Sequence, residues 1–291
     1  MQRWLILTIL CLSGGTIFML PFLREVYYIP MQQAFSFSHT QMGVLSSVFG
    51  TTSLLAYFPG GWLADRYSSR KLMSSGLLGV ALAGVFYSAF PSYSISIAIH
   101  AFWGLCTSLV FWGAMIKATR NWGNSNEQGR AFGLLESGRG ITELAYSSLF
   151  LAIFAWMGSQ VDALSQVILL FSLCNALLAL LVWLFLRDTV SDKIGEGQKT
   201  KLGASQILAV LRMPTVWLVS IIVLSSYSAY WGAYYFASYA TDVFGLSVVI
   251  GASVAVGKMW LKPVAAVLAG FTADKIGVSN TVFYTLSTMT L

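Results

Sequence analysis

The sequence predicts an all-α polytopic membrane protein, and three observations carry that reading. The 291 residues are 57% hydrophobic and only 10% charged, whereas a soluble domain carries roughly a quarter charged residues. Apolar runs of about 20 residues, enough for a helix to cross the hydrocarbon core, recur along the whole chain. A charged turn, Gly60-Gly61-Trp62-Leu63-Ala64-Asp65-Arg66, follows one of these runs, and a weaker copy returns as Gly270-Phe271-Thr272-Ala273-Asp274-Lys275. Two copies of one turn, each after an apolar span, predict a duplicated helical architecture.

The elements follow from the apolar runs in order. The start, Met1-Gln2-Arg3-Trp4 and then an apolar stretch, imitates a signal peptide. Its apolar part is too long, lacks a small-residue cleavage site and precedes many further spans, so it reads as the first transmembrane helix. Helix 1 is expected at about 4–30, helix 2 at 41–62, helix 3 at 72–90 and helix 4 at 94–117. Helix 5 follows at about 130–157 and helix 6 at 163–186. Residues 1–188 thus form a six-helix N-terminal bundle. A polar stretch at 189–213, with Asp192, Lys193, Glu196, Lys199 and Lys201, reads as a cytoplasmic central loop. Residues 214–291 form a partial C-terminal bundle, with helix 7 at about 214–240 and helix 8 at 247–270. Thr281 to Leu291 is apolar but too short to span, and reads as the start of a third helix there.

The net charge of +6 reads as topology rather than nucleic-acid binding, because cytoplasmic loops of membrane proteins collect Lys and Arg. With the N-terminus in the cytoplasm, the inner side receives Arg3, Arg66, Arg70, Lys71, Lys117, Arg120, Arg130, Arg187 and Lys275, and the loops after helices 3, 5 and 7 contain no Lys or Arg. Cys11, Cys106 and Cys174 are isolated in apolar runs, with neither metal nor disulfide spacing. No nucleotide, metal or nucleophile constellation is visible, so an enzyme, a cofactor and a metal are not expected.

Four cations remain inside apolar runs: Arg24, Arg139, Lys258 and Lys262. A cation at a helix centre costs roughly 2.5–3.5 kcal/mol on the insertion scale, so such residues face a cavity or a partner. If helix 1 runs to Ile29, the Arg24 guanidinium reaches a central cavity and takes an anion bidentately; if it ends at Arg24, the side chain snorkels outward. Glu25 points elsewhere on the helix, to the rim or cavity edge. Glu136, Arg139 and Glu143 are spaced i, i+3 and i+7 on one face, with Arg139 in reach of both carboxylates. That set is either a neutralising triad or a switch in which an anion competes with a Glu for Arg139 and a proton on that Glu couples transport to pH. Lys258 and Lys262 share a face of helix 8, and two ammoniums there need an anion or carboxylate between them. On helix 7, Tyr227 and Tyr230 are either part of an interfacial aromatic belt or donors to an anion. His100, in helix 4, is either a satisfied core residue or a proton site.

Six helices, a charged central loop and a second set opening with the same turn resemble the major facilitator superfamily. Its motif after helix 2, Gly-x-Leu-Ala-Asp-Arg/Lys, is matched in register by Gly61, Leu63, Ala64, Asp65 and Arg66. Ser68 stands where the motif has a Gly, and Arg70-Lys71 fall one residue late. In the second copy Gly270, Asp274 and Lys275 match. The resemblance implies that Asp65 braces the two halves at the cytoplasmic gate, with Gly61, Arg66, Gly270, Asp274 and Lys275 as the rest of that gate. The stretch Leu23-Arg24-Glu25 to Pro30, with Ser38, Gln41 and Gly43, is similar to the organophosphate:phosphate antiporters, which carry a substrate-binding Arg in helix 1. Their second binding Arg lies on helix 7, where this chain has no Lys or Arg, so the broader class of organic anion is the expectation.

The resemblance implies a secondary transporter of the bacterial inner membrane, working by alternating access as an antiporter or proton symporter. Its expected partners are a small anionic solute and the lipid bilayer, without nucleic acid, and it is expected to be a monomer. Substrate contacts are expected from Arg24, Arg139, Lys258, Lys262, Tyr227 and Tyr230, and coupling or charge pairing from Glu136, Glu143 and His100. The family's twelve-helix plan would place three further helices beyond Leu291, so the chain reads as C-terminally truncated. The rival readings are a ligand sensor of the same fold, which binds without transporting, and a non-functional truncated transporter.

Overall fold

The computed structural model describes residues 2–123, 128–158, 160–187, 209, 211–232, 235–257, 260, 272 and 276–289, and among them only helices and their connections occur. The first helices are α1 (Gln2–Thr16), α2 (Arg24–Phe35), α3 (His39–Arg66) and α4 (Ser69–Tyr87). Next, α5 (Tyr93–Gly104) runs through a π-helical stretch, Leu105–Trp112, into α6 (Gly113–Trp122). The long helices α7 (Gln128–Trp156) and α8 (Val161–Phe185) follow. Beyond the central stretch lie α9 (Pro214–Gly232), α10 (Phe236–Asp242), α11 (Val248–Gly257) and α12 (Val278–Met289).

Local chemistry sets several of these boundaries. Ser38 and Gln41 form a reciprocal capping box at the start of α3, with Gln41 N donating to Ser38 Oγ at 3.2 Å and Ser38 N to Gln41 Oε1 at 2.9 Å. Such a cap satisfies two otherwise orphaned amides. Replacing Ser38 by Ala is therefore expected to cost about 1 kcal/mol, read as a lower thermal midpoint of the detergent-solubilised protein. In the charged turn, Ser68 is the N-cap of α4, its Oγ accepting from Lys71 N at 3.4 Å. That is why Ser serves where the motif has Gly. Lys117 of α6 reaches across to donate to the carbonyls of Ala64 (2.9 Å) and Tyr67 (3.4 Å), placing a cation at the C-terminus of α3.

Helix 1 departs from the expected single span of about 4–30: α1 stops at Thr16 and α2 begins at Arg24. Pro21 has no amide to give and its ring crowds the preceding turn. Between the two helices the amides of Met19 and Leu23 turn to the carbonyls of Thr16 and Leu20, three residues back. A second irregularity follows at Tyr27 (φ −109°, ψ 35°), inside α2. Of the span expected at 214–240, the described residues comprise α9 and the short α10, with Tyr235 non-helical (φ −95°, ψ 2°) just before α10.

Among the described residues, three helices are long and apolar enough to cross a membrane by length and composition: His39–Arg66, Tyr93–Trp122 and Val161–Phe185. At 29 residues, α7 has ample length, about 43 Å at 1.5 Å per residue, but Glu136, Arg139 and Glu143 lower its hydropathy. Large apolar side chains such as Leu55, Phe58, Phe86 and Leu184 are exposed on the outside of the bundle, as a lipid-facing surface requires.

Inside, α4 lies along α8, α1 along α7, and α3 along α5 and the π-helical stretch. The last contact is backbone to backbone. A Cβ added at Gly60 would lie 2.5 Å from the Ser108 carbonyl oxygen, and one at Gly113 would lie 3.0 Å from the Gly60 oxygen. The close approach is made by Gly60 and not by its neighbour in the turn, since a Cβ at Gly61 meets nothing within 4 Å. The reason is helical phase, since neighbouring residues point about 100° apart and only Gly60 faces the partner.

The two ends of the bundle differ in chemistry. At one end Arg3 lies over the Trp122 ring (4.3 Å), Arg66 over Trp62 (4.0 Å) and Arg70 over Trp183 (4.8 Å). At the other, Phe35, Phe37, Tyr87, Phe90 and Tyr93 pack ring against ring.

Candidate functional site: a central cavity around Arg139

A cavity of about 630 Å³ opens within the bundle, inside the range of about 300–1,000 Å³ found for small-molecule sites. Its walls come from the break between α1 and α2, the middle of α3, the π-helical stretch, the centre of α7 and one face of α9. Two irregular segments therefore meet at one place, the Pro21 break and the π-helical stretch. Non-helical backbone at membrane depth is tolerated where protein buries it or where it lines a cavity.

Arg139 is the cation of this cavity among the described residues. Gly14 and Gly15 let α7 approach α1, because a Cβ at Gly14 would fall 2.8 Å from Arg139 Cδ and one at Gly15 would fall 2.7 Å from the Arg139 carbonyl oxygen. The side chain crosses that gap. Its Nε donates to the Gly14 carbonyl (3.2 Å), Nη1 donates to Glu136 Oε1 (2.6 Å), and the guanidinium carbon lies 4.8 Å from the centre of the Trp112 ring. Carbonyl, carboxylate and ring fix its orientation from three sides, while the Arg139 side chain keeps 18% of its surface open. A guanidinium held this way is preorganised to accept a carboxylate or phosphate oxygen.

The sequence-derived candidates are distributed unevenly. Of the two carboxylates within reach of Arg139, Glu136 forms the ion pair, on a side chain 60% exposed, and Glu143 lines the cavity. Tyr227 lines it from α9, beside Leu224. Arg24 is buried but does not line the cavity. It donates to the Met42 carbonyl (2.9 Å) and to the Tyr235 hydroxyl (3.4 Å), and lies over the Tyr235 ring at 5.4 Å. His100 is buried between Tyr87 and Trp103, donating from Nδ1 to the Ser96 carbonyl at 2.8 Å, away from the cavity wall. Asp65 is exposed and makes no ion pair among the described residues. Lys258, Lys262, Gly270, Asp274 and Lys275 lie outside the described residues, as does the side chain of Tyr230.

Several lining residues carry no motif and were not singled out by sequence. Trp112 reaches Arg139 from the π-helical stretch, whose altered turn no local pattern announces. Glu25, by contrast, is placed by the sequence at the rim or cavity edge, and it is buried and lines the cavity. Phe18, Phe22 and Phe49 read as ordinary core residues. Pro21 is the signal that could have indicated the break.

The sequence model of the Major Facilitator Superfamily matches residues 4–291. The chain belongs to this superfamily. Two inner membrane proteins of Escherichia coli strain K12 are similar to it. YqcE is 31% identical over 250 residues, covering 85% of this chain and 59% of YqcE. YihN is 30% identical over 279 residues, covering 94% of this chain and 66% of YihN. The chain therefore spans about three-fifths to two-thirds of the length of these superfamily relatives. Among solved structures, a bacterial homolog of the human lysosomal transporter Spinster, in an inward-facing and unoccupied conformation, superposes with a TM-score of 0.73 at 18% identity. That superposition covers 94% of this chain and 63% of the homolog, and shows the major facilitator fold. The chain is accordingly an integral membrane protein of this superfamily, and no metal-binding cluster occurs among the described residues.

Proposed function

We propose that the chain forms the solute path of a secondary transporter that moves a small organic anion by alternating access, with its N-terminus in the cytoplasm. One observation carries this reading: a preorganised, partly open guanidinium, Arg139, inside a cavity of small-molecule size. Glu136 holds Arg139 when the site is vacant. An arriving anion takes over the guanidinium and releases the carboxylate, so substrate and Glu136 compete for one cation. Tyr227 supplies wall from the second half, and Lys258 and Lys262 are the further cations that half would bring to the anion. In this reading the two halves rock about the cavity, as antiporter or proton symporter, and the protein acts as a monomer.

Arg24 acts at the closure between the halves. Its bond to Tyr235 joins the start of α2 to the residue preceding α10, and Tyr28 lies with its ring centre 6.4 Å from that of Tyr235. Tyr235→Phe removes the hydroxyl that Arg24 meets and weakens the closed outer side. The expected result is faster labelling of a cysteine introduced at Phe18 by a membrane-impermeant maleimide added from outside. Unchanged labelling would leave Arg24 a purely structural residue.

The function is tested by counterflow in proteoliposomes, using labelled phenylacetate, gluconate and glycerol 3-phosphate as probes. Saturable, trans-stimulated uptake of at least one probe is expected. Binding without flux would identify a sensor of the same fold, and neither binding nor flux for any of the three would remove the anion assignment.

A further inference from the structure

The surroundings of Arg139 describe more than the charge of its ligand. From the guanidinium, aromatic rings follow one another along the cavity wall. Trp112 lies under Arg139 at 4.8 Å, and Phe18 meets Trp112 edge-on at 5.9 Å. Phe22 follows Phe18 at 6.3 Å, and Phe49 meets Phe22 edge-on at 5.2 Å. All four rings line the cavity. They form a continuous rail that starts at the cation and crosses from the π-helical stretch through the α1–α2 break to α3.

Several other hydroxyls of the lining do not face the open space: those of Tyr27, Ser53, Ser108 and Ser147 are fully covered. A hydroxylated solute would lose part of its hydration against the rings.

On these grounds we infer that the solute is a carboxylate with an aromatic body, its carboxylate at Arg139 and its ring along Trp112, Phe18, Phe22 and Phe49. The inference rests on the anion reading above and narrows it against sugar acids and phosphate esters. Aromatic pairs in offset or edge-on geometry contribute beyond the area they bury, so the rail favours a ring over a polyol of similar size.

The test compares phenylacetate, gluconate and glycerol 3-phosphate as competitors and as counterflow substrates of the reconstituted protein, with wild type, Phe18→Leu, Phe22→Leu and Arg139→Gln. Phenylacetate should be preferred over both others by about tenfold or more, as expected for burying a ring against rings. Each Phe→Leu change should raise the KM for phenylacetate about two- to tenfold while leaving kcat near wild type. The folded fraction of each variant is checked by size-exclusion chromatography in detergent, since Leu keeps most of the apolar volume. If gluconate or glycerol 3-phosphate is preferred, or if the Phe variants leave the phenylacetate KM unchanged, the aromatic assignment is overturned while the anion reading stands. If phenylacetate is transported equally well by Arg139→Gln, the anion reading fails and this inference fails with it.

Discussion

Replacing Arg139 by Gln is expected to remove anion counterflow while leaving the protein folded. The guanidinium is held by the Gly14 carbonyl, Glu136 and the Trp112 ring, and in the proposed mechanism it gives charge-assisted bonds to the substrate. Hydrogen bonds to charged groups contribute about 1.5–3 kcal/mol, so affinity should fall about ten- to 150-fold, below detection in most uptake assays. Arg139→Lys should rescue little, because an ammonium cannot reproduce the planar fork that serves Gly14, Glu136 and a ligand together. Glu136→Gln acts in the opposite sense. It removes the competitor for the guanidinium, so anion affinity should rise. Weaker anion binding in Glu136→Gln would mean that the pair is a structural neutraliser.

The largest effect on folding is expected at Gly60. A Cβ there would meet the Ser108 carbonyl oxygen at 2.5 Å and the Leu109 oxygen at 3.0 Å. Both are backbone atoms of the π-helical stretch, so no side chain can swing aside. Gly60→Val must push α3 off the helix it packs against, and overpacking of this kind costs about 1–3 kcal/mol or more. The expected outcome is loss of the monodisperse peak in size-exclusion chromatography, or a thermal midpoint lowered by many degrees. Gly61→Ala is the matched control. With nothing within 4 Å of its Cβ position, it should leave the midpoint unchanged or raise it, since Ala favours a helix over Gly by about 1 kcal/mol. The pair separates the motif glycine from the packing glycine in one experiment.

Much of the architecture was legible because membrane helices announce themselves by length. The spans expected at 41–62, 72–90 and 163–186 lie within a few residues of α3, α4 and α8, since an apolar run long enough to cross lipid has few alternatives to a helix. The cap of α3 is equally local: Ser38-x-x-Gln41, named in the sequence only for a family resemblance, closes as a reciprocal cap. The ion pair on α7 was legible as far as its spacing went. Three- and four-residue separations put Arg139 beside two carboxylates, but only the rotamers decide that Glu136 makes the 2.6 Å contact.

Other features depend on phase and on neighbours distant in sequence. The break before Arg24 turns that side chain towards Met42 and Tyr235, and Tyr235 lies over two hundred residues away. Trp112 enters the site because eight residues adopt π-helical turns, and Gly60 rather than Gly61 makes the close contact because of which way one helix faces another. The sequence by itself determined the membrane class, the charged turn and the presence of charges within apolar runs, since these follow from hydropathy and local spacing. Only the tertiary structure decided which charges share the cavity, which rings surround Arg139 and which arginine joins distant helices. Those contacts form between helices, where rotation about an axis changes every neighbour while leaving the hydropathy pattern untouched.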